Sequence, residues 1–102
     1  LIEREHQRGI PYQQIFMAGF SQGGALALHT GLRFPHRLGG IIALSTYLPV
    51  SHRVENERSQ ANREVPIFIA HGHNDPIVPL RWGEFTRRYL AQLGYSVTWH
   101  TY

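Results

Sequence analysis

The chain has no cysteine, no lysine, one methionine (Met17) and one aspartate (Asp75) among its 102 residues. The missing cysteines exclude disulfides, thiolate metal sites and a cysteine nucleophile, and they leave the compartment open. Positive charge rests on ten arginines, scattered from Arg4 to Arg88 with no stripe of basic and aromatic residues. That argues against a nucleic-acid partner. There is no signal peptide and no apolar run of the roughly 20 residues a membrane span needs, so stable membrane insertion is not expected. What remains is ordinary globular composition, 42% hydrophobic and 17% charged with a net charge of +3, enough for one domain at most. The chain opens at Leu1 inside a helical pattern and closes at Tyr102 on a strand pattern. Both ends read as cut, and the expectation is one piece of a larger protein.

The chain is organised around Gly19-Phe20-Ser21-Gln22-Gly23, which fits G-x-S-x-G. Before it, Ile15 to Ala18 is a short apolar run of the kind a buried parallel strand makes. After it, Gly24 to Phe34 predicts a helix with Ala25, Leu26, Leu28 and Leu32 as its apolar positions, stopped by Pro35. A strand that turns sharply into a helix at a serine is a nucleophile elbow. The turn lifts the Ser21 hydroxyl clear of the sheet, and Gly19 and Gly23 are expected to let strand and helix approach closely. The helix N-terminus favours developing negative charge, and the Gln22 N–H can donate to an oxyanion. The competing reading is a chance match in a glycine-rich turn.

Around the elbow, strands alternate with helices. Leu1 to Arg8 is a polar helix tail with Gly9 as its cap. Ile41 to Leu44 and Ile67 to Ala70 predict further buried strands, and Val50 to Glu64 a solvated loop with one short helix. Leu80 to Leu93 predicts a helix with Trp82, Phe85, Tyr89 and Leu93 on its apolar face. Val97 to Tyr102 predicts an alternating fourth strand. That order gives right-handed βαβ units and a parallel sheet, hence an α/β fold with ligands outside the carboxyl ends of the strands.

Three groups leave those ends: Ser21, the segment Thr46 to Pro49, and the turn His71 to Asp75. Asp75 after the third strand suits a carboxylate that orients a histidine base, and Ser before Asp is the α/β-hydrolase order. It also suits a turn residue bonding its own backbone. Only His100 of the seven histidines follows Asp75, and it falls inside a strand pattern. His6, His29, His36 and His52 read as solvated or surface residues. His71-x-His73-x-Asp75 resembles the opening of a dinuclear metal signature, but Pro76 replaces its next histidine and no second aspartate exists. No metal is expected there. His71 is instead expected to pack and hydrogen-bond beneath the turn.

Gly19-Phe20-Ser21-Gln22-Gly23-Gly24, Leu44-Ser45-Thr46-Tyr47-Leu48-Pro49 and His71 to Pro79, taken together, resemble the carboxylesterase/acyl-protein thioesterase/lysophospholipase family, and its bacterial carboxylesterase branch in particular. The resemblance covers residues 1–102 as a single partial α/β-hydrolase domain. It implies Ser21 as nucleophile, Asp75 as triad acid and the Gln22 amide as an oxyanion donor. Tyr47, Leu48, Ile77 and Val78 would lie near the substrate pocket. It implies a cytoplasmic esterase without a cofactor, acting on a small ester, a lysophospholipid or an S-acylated substrate. In that family a Gly-His on the loop after the last strand supplies the base, and further strands precede the elbow strand; neither is in this chain. The 102 residues alone are therefore expected to be nearly inactive and to form a homodimer, or aggregate, through the open edge of the elbow strand. The alternative is a non-catalytic α/β binding module on a hydrolase scaffold.

Overall fold

A computed structural model describes residues 2–48 and 54–102, with backbone alone at residues 55 and 56. His52, Pro49 and the start of the expected polar loop lie outside the described residues. Four strands, β1 (Phe16–Phe20), β2 (Gly40–Leu44), β3 (Ile67–His71) and β4 (Val97–Thr101), form one parallel sheet in the order β1-β2-β3-β4. Parallel neighbours cannot be joined by a tight hairpin, so each link must cross over. The crossovers carry α2 (Gln22–Arg33), the short α3 (Val54–Glu57) and α4 (Leu80–Gln92). A short α1 (Ile2–Gln7) and a 3-10 turn (Tyr12–Gln14) precede β1. Gly9, with φ 93°, ends the first helical segment as expected, because an L side chain rarely takes that conformation.

The sheet is covered on one face. Met17, Ile41, Ile67 and Val97 stand in register across the four strands and belong to, or pack against, the core. The next row, Ala18, Ile42, Phe68 and Thr98, points the other way and is exposed or half-buried. The expectation of fully buried strands is thus corrected. The sheet's period of two sends alternate residues to opposite faces, and among the described residues the long helices cover only one of them. β1, at the sheet edge, leaves Phe16 59% and Phe20 62% exposed.

Both long helices sit on the sheet by faces that differ from the expected ones. In α2 the buried stripe is Gly24, Leu28, Gly31 and Leu32 with Ala25 and Ala27 beside it, while Leu26 is exposed. Leu26 lies two residues, roughly 200°, from Leu28 around the helix. In α4 the buried residues are Gly83, Thr86 and Leu90, not the aromatic row. Trp82 and Phe85 are exposed, and Tyr89 and Leu93 are half-buried. Small residues win this face because α4 lies close against the end of β3. A Cβ at Gly83 would stand 2.5 Å from the His71 ring.

The polar stretch before β3 is only partly a solvated loop. Val54, Asn62 and Val65 are buried. The Asn62 side chain accepts from the Leu38 N–H (2.7 Å) and donates to the Phe34 and His36 carbonyls (2.9 and 2.8 Å). It ties down the turn between α2 and β2 at three backbone groups. Truncating it leaves three backbone groups to find water, at about 1–3 kcal/mol for each that stays unsatisfied. We expect Asn62→Ala to lose about 3 kcal/mol in urea denaturation. A loss below about 0.5 kcal/mol would mean that water replaces the amide without cost.

His6 and His36, expected as solvated surface residues, are exposed but not isolated. They stack on the two faces of Tyr12 with ring centroids 3.8 and 4.3 Å away. The Tyr12 hydroxyl donates to Glu3 at 2.8 Å. That bond to a carboxylate is the main reason its pKa is raised.

Candidate active site

Ser21 joins β1 to α2 with φ 55° and ψ −118°. This lies outside the left-handed α well as well as the ordinary regions, and such a conformation costs on the order of 1–3 kcal/mol. The neighbouring bonds hold it there. The Ser21 N–H donates to the Leu44 carbonyl at 2.8 Å. Its carbonyl accepts from the Ala25 N–H (3.1 Å) and the Thr46 hydroxyl (2.6 Å). The side chain makes no capping bond to α2. No hydrogen bond from the hydroxyl is found among the described residues, and the first N–H groups of the helix, Gln22's among them, lack intrahelical acceptors.

The glycines that permit this approach are Gly19 and Gly24. A Cβ on Gly19 would run into the Gly23 carbonyl group, and one on Gly24 would come within 2.8 Å of the Thr46 side chain. Gly23, expected to share this role, has open space where its Cβ would be. Its backbone is what Gly19 approaches; its own side-chain position is not crowded.

Asp75 sits in the turn between β3 and α4. Its Oδ1 accepts the Ile77 and Val78 N–H groups, both at 2.9 Å. Those two bonds, Val78's first, hold its carboxyl below the usual carboxylate range. The turn-forming role foreseen for Asp75 is thus present, and it leaves Oδ2 free of backbone donors among the described residues. A depressed folded-state pKa contributes stability above the unfolded value, about 3.9, which is lost as pH falls through the lower folded value. Stability should accordingly fall on acidification below about pH 4, and Asp75→Asn should flatten that part of the curve. Parallel acid limbs for the two proteins in denaturation series would contradict it.

Two adjoining hollows of about 440 and 450 Å³ open at the carboxyl ends of the strands. Both are bounded by Phe20, Ser21, Ile77 and Val78. The first adds Asp75, Ser45 and Tyr102; the second adds Gln22, Tyr47 and Trp82. The structure therefore gathers Ser21, Gln22, Asp75, Tyr47, Ile77 and Val78 into one region. Leu48 stands apart from the other expected pocket residues. It is buried in the core, its N–H donates to the Thr86 hydroxyl at 3.0 Å, and it lines neither hollow.

Three residues of the site were not foreseen. Trp82 was placed on the core face of its helix, but it stands edge-on to Tyr47 at 5.8 Å beside the second hollow. Ser45, buried with φ 46°, shares a 2.7 Å hydrogen bond with the Tyr102 hydroxyl. Strain at a serine that ends β2 has no signal in the sequence. Only the pairing of both β2 and β4 with the β3 between them brings Tyr102 to it.

Among the described residues, no histidine ring is hydrogen-bonded to the Ser21 or Asp75 side chain. His71 is buried with Nε2 on the Val78 carbonyl, as expected for a residue packed beneath the turn. His73 and His100 are exposed. No cluster of three metal-binding side chains forms among the described residues.

A strained serine at a strand-to-helix turn, facing a carboxylate across one opening, is what comparison with known proteins must explain. The sequence pattern of the phospholipase/carboxylesterase family matches residues 1–102. The chain belongs to this family. It is 45% identical over 104 residues to acyl-protein thioesterase 1 of Neurospora crassa, matching all of this chain and 42% of that protein. With acyl-protein thioesterase 1 of Gibberella zeae it shares 42% identity, across all of this chain and 44% of the relative. Among solved structures, Arabidopsis thaliana SOBER1 superposes with a TM-score of 0.93 at 30% identity, over 99% of this chain and 48% of that one. Esterase PE8 gives 0.89 at 33% identity, over 100% and 46%. The chain thus spans under half the length of these relatives, and its four-stranded sheet is part of the α/β-hydrolase fold. No helix among the described residues is long and apolar enough to cross a membrane.

Proposed function

We propose that the protein is a serine hydrolase that cleaves carboxylic esters or thioesters through an acyl-enzyme, with Ser21 as nucleophile and Asp75 as triad acid. The observation that carries this is the Ser21 backbone, held at φ 55° with its side chain making no bond to α2, on the same opening as Asp75. A base takes the Ser21 proton as Oγ attacks the acyl carbon. The oxygen that becomes negative is met by the Gln22 N–H at the start of α2. The tetrahedral intermediate expels the alcohol or thiol, which receives the proton back from the base, and water then repeats the sequence on the acyl-enzyme. The base is a histidine that Asp75 orients through Oδ2.

Phe20, Ile77 and Val78 give the opening apolar walls suited to an acyl group, with the Tyr47 and Trp82 rings beside them. The names of the thioesterase relatives favour an S-acylated substrate, with small esters and lysophospholipids as the other members of the same class. A cytoplasmic setting and the absence of a cofactor follow from the same reading. The exposed edge at β1 supports self-association of the 102 residues expressed alone.

The test is a fluorophosphonate on the protein from the complete gene. Labelling should map to Ser21, and EDTA should leave ester hydrolysis intact. Label at another residue would remove Ser21 as the nucleophile, and activity lost to chelation and restored by zinc would replace serine chemistry with a metal centre at His71 and His73. A protein that takes no label and turns over no ester would be the binding module.

A further inference from the structure

One buried, hydrogen-bonding group is left without a part in that chemistry. His71 ends β3 fully buried, four residues before Asp75. Its Nε2 lies 2.7 Å from the Val78 carbonyl. A carbonyl only accepts, so Nε2 carries the hydrogen. The other nitrogen, Nδ1, has no hydrogen-bond partner among the described residues and is closed off by α4 at Gly83, where a Cβ would stand 2.5 Å away. Among the described residues the ring therefore makes one hydrogen bond, and a glycine in the helix above it keeps room for it.

Val78 is the residue gripped from both sides. Its N–H donates to Asp75 Oδ1 at 2.9 Å, and its C=O accepts from His71 at 2.7 Å. We propose that His71 is the positioning residue of Asp75: it pins the Val78 carbonyl to the end of β3, and so sets the two N–H groups that orient the carboxylate. With Oδ1 held by Ile77 and Val78, Oδ2 is presented to the base in a fixed direction. Without the anchor, the turn keeps a backbone bond near its start, from the His73 N–H to the Tyr102 carbonyl at 2.8 Å, but Val78 at its far end loses its tie to β3. The carboxylate keeps its local bonds but moves with the turn. This rests on the reading of Asp75 as the triad acid.

The experiment uses the protein from the complete gene, with p-nitrophenyl butyrate as substrate. His71→Leu fills the space and removes the donor; His71→Gln returns an amide N–H near the position of Nε2. A displacement of about 1 Å at a catalytic group costs on the order of 10²-fold in rate. His71→Leu should lower kcat by about that factor with KM within about twofold, and His71→Gln should recover most of it. The pH profile separates positioning from a general loss of folded protein. A loosened Asp75 stabilises the imidazolium less, so the base's pKa falls and the acid limb of kcat/KM moves to lower pH. Partial unfolding would scale the profile without moving it. Where His71→Leu yields no soluble protein, Gly83→Ala pushes on the same ring from α4 and should move the limb the same way.

An unmoved limb, a rise in KM in place of the fall in kcat, or a glutamine variant as poor as leucine would each overturn the proposal. Asp75→Asn distinguishes its failure from that of the reading beneath it. Activity retained in Asp75→Asn removes the triad acid itself. Activity lost there, with His71→Leu at the parent's rate and profile, removes only the positioning role.

Discussion

Ser21→Ala, made in the protein from the complete gene, should lower kcat/KM for p-nitrophenyl butyrate by roughly 10⁴-fold or more. At about 1.36 kcal/mol per decade that is about 5.4 kcal/mol of transition-state stabilisation. The loss is large because the attacking atom is gone, while the Gln22 N–H and the apolar walls can still bind substrate. KM should therefore change much less than kcat. Stability should behave differently. The Ser21 side chain makes no capping bond, so alanine removes none from the helix, and the strain at φ 55° remains. Ser21→Gly relieves that strain, since glycine takes positive φ freely, and should be inactive yet more stable by up to about 1–3 kcal/mol. Turnover within tenfold of the parent in either variant would remove Ser21 from the mechanism. An inactive glycine variant that was also less stable would show that the elbow is not strained.

Gly19→Ala should be the most damaging small substitution for folding. Its Cβ meets the Gly23 carbonyl group, which is backbone at the start of α2 and cannot rotate away as a side chain can. Overpacking normally costs about 1–3 kcal/mol; a backbone clash between two elements places this one at about 4 kcal/mol or more. Against a total stability of about 5–15 kcal/mol, much of the protein should be unfolded or insoluble. Gly23→Ala is the matched control, two residues from Ser21 in the same motif. Its Cβ meets nothing within 4 Å, and alanine in place of a helical glycine should gain about 0.5–1 kcal/mol. Guanidinium denaturation of both variants settles the comparison. Equal losses at the two positions would mean that the motif's glycines serve the turn's conformation and not the approach of strand and helix.

The order of elements needed no structure to be read. Short apolar runs at Ile15 to Ala18, Ile41 to Leu44 and Ile67 to Ala70 alternate with helix-length segments, and Pro35 and Gly9 mark where helices stop. Parallel strands joined by crossovers follow from that alternation, because backbone propensity and chain connectivity are local properties. The placement of Ser21, Gln22 and Asp75 at the carboxyl ends of strands was legible for the same reason. An elbow is a turn of five residues, and Asp75 takes its place from the strand just before it.

What the sequence could not decide was which side each residue would face and what would lie beside it. Trp82 and Phe85 read as a core stripe because they are aromatic and correctly spaced, yet the one-residue offset to Gly83, Thr86 and Leu90 was set by His71 on another strand. Leu48 went to the core, Trp82 came to the opening, and Asn62 was drawn inside to serve a turn 24 residues away. The Ser45–Tyr102 bond joins residues 57 apart in the chain. Composition and periodicity determined the elements and the positions of the turns that carry Ser21 and Asp75. Burial, small-residue contacts and long-range hydrogen bonds belong to pairs of elements, and they exist only once the sheet has brought β1, β2, β3 and β4 side by side.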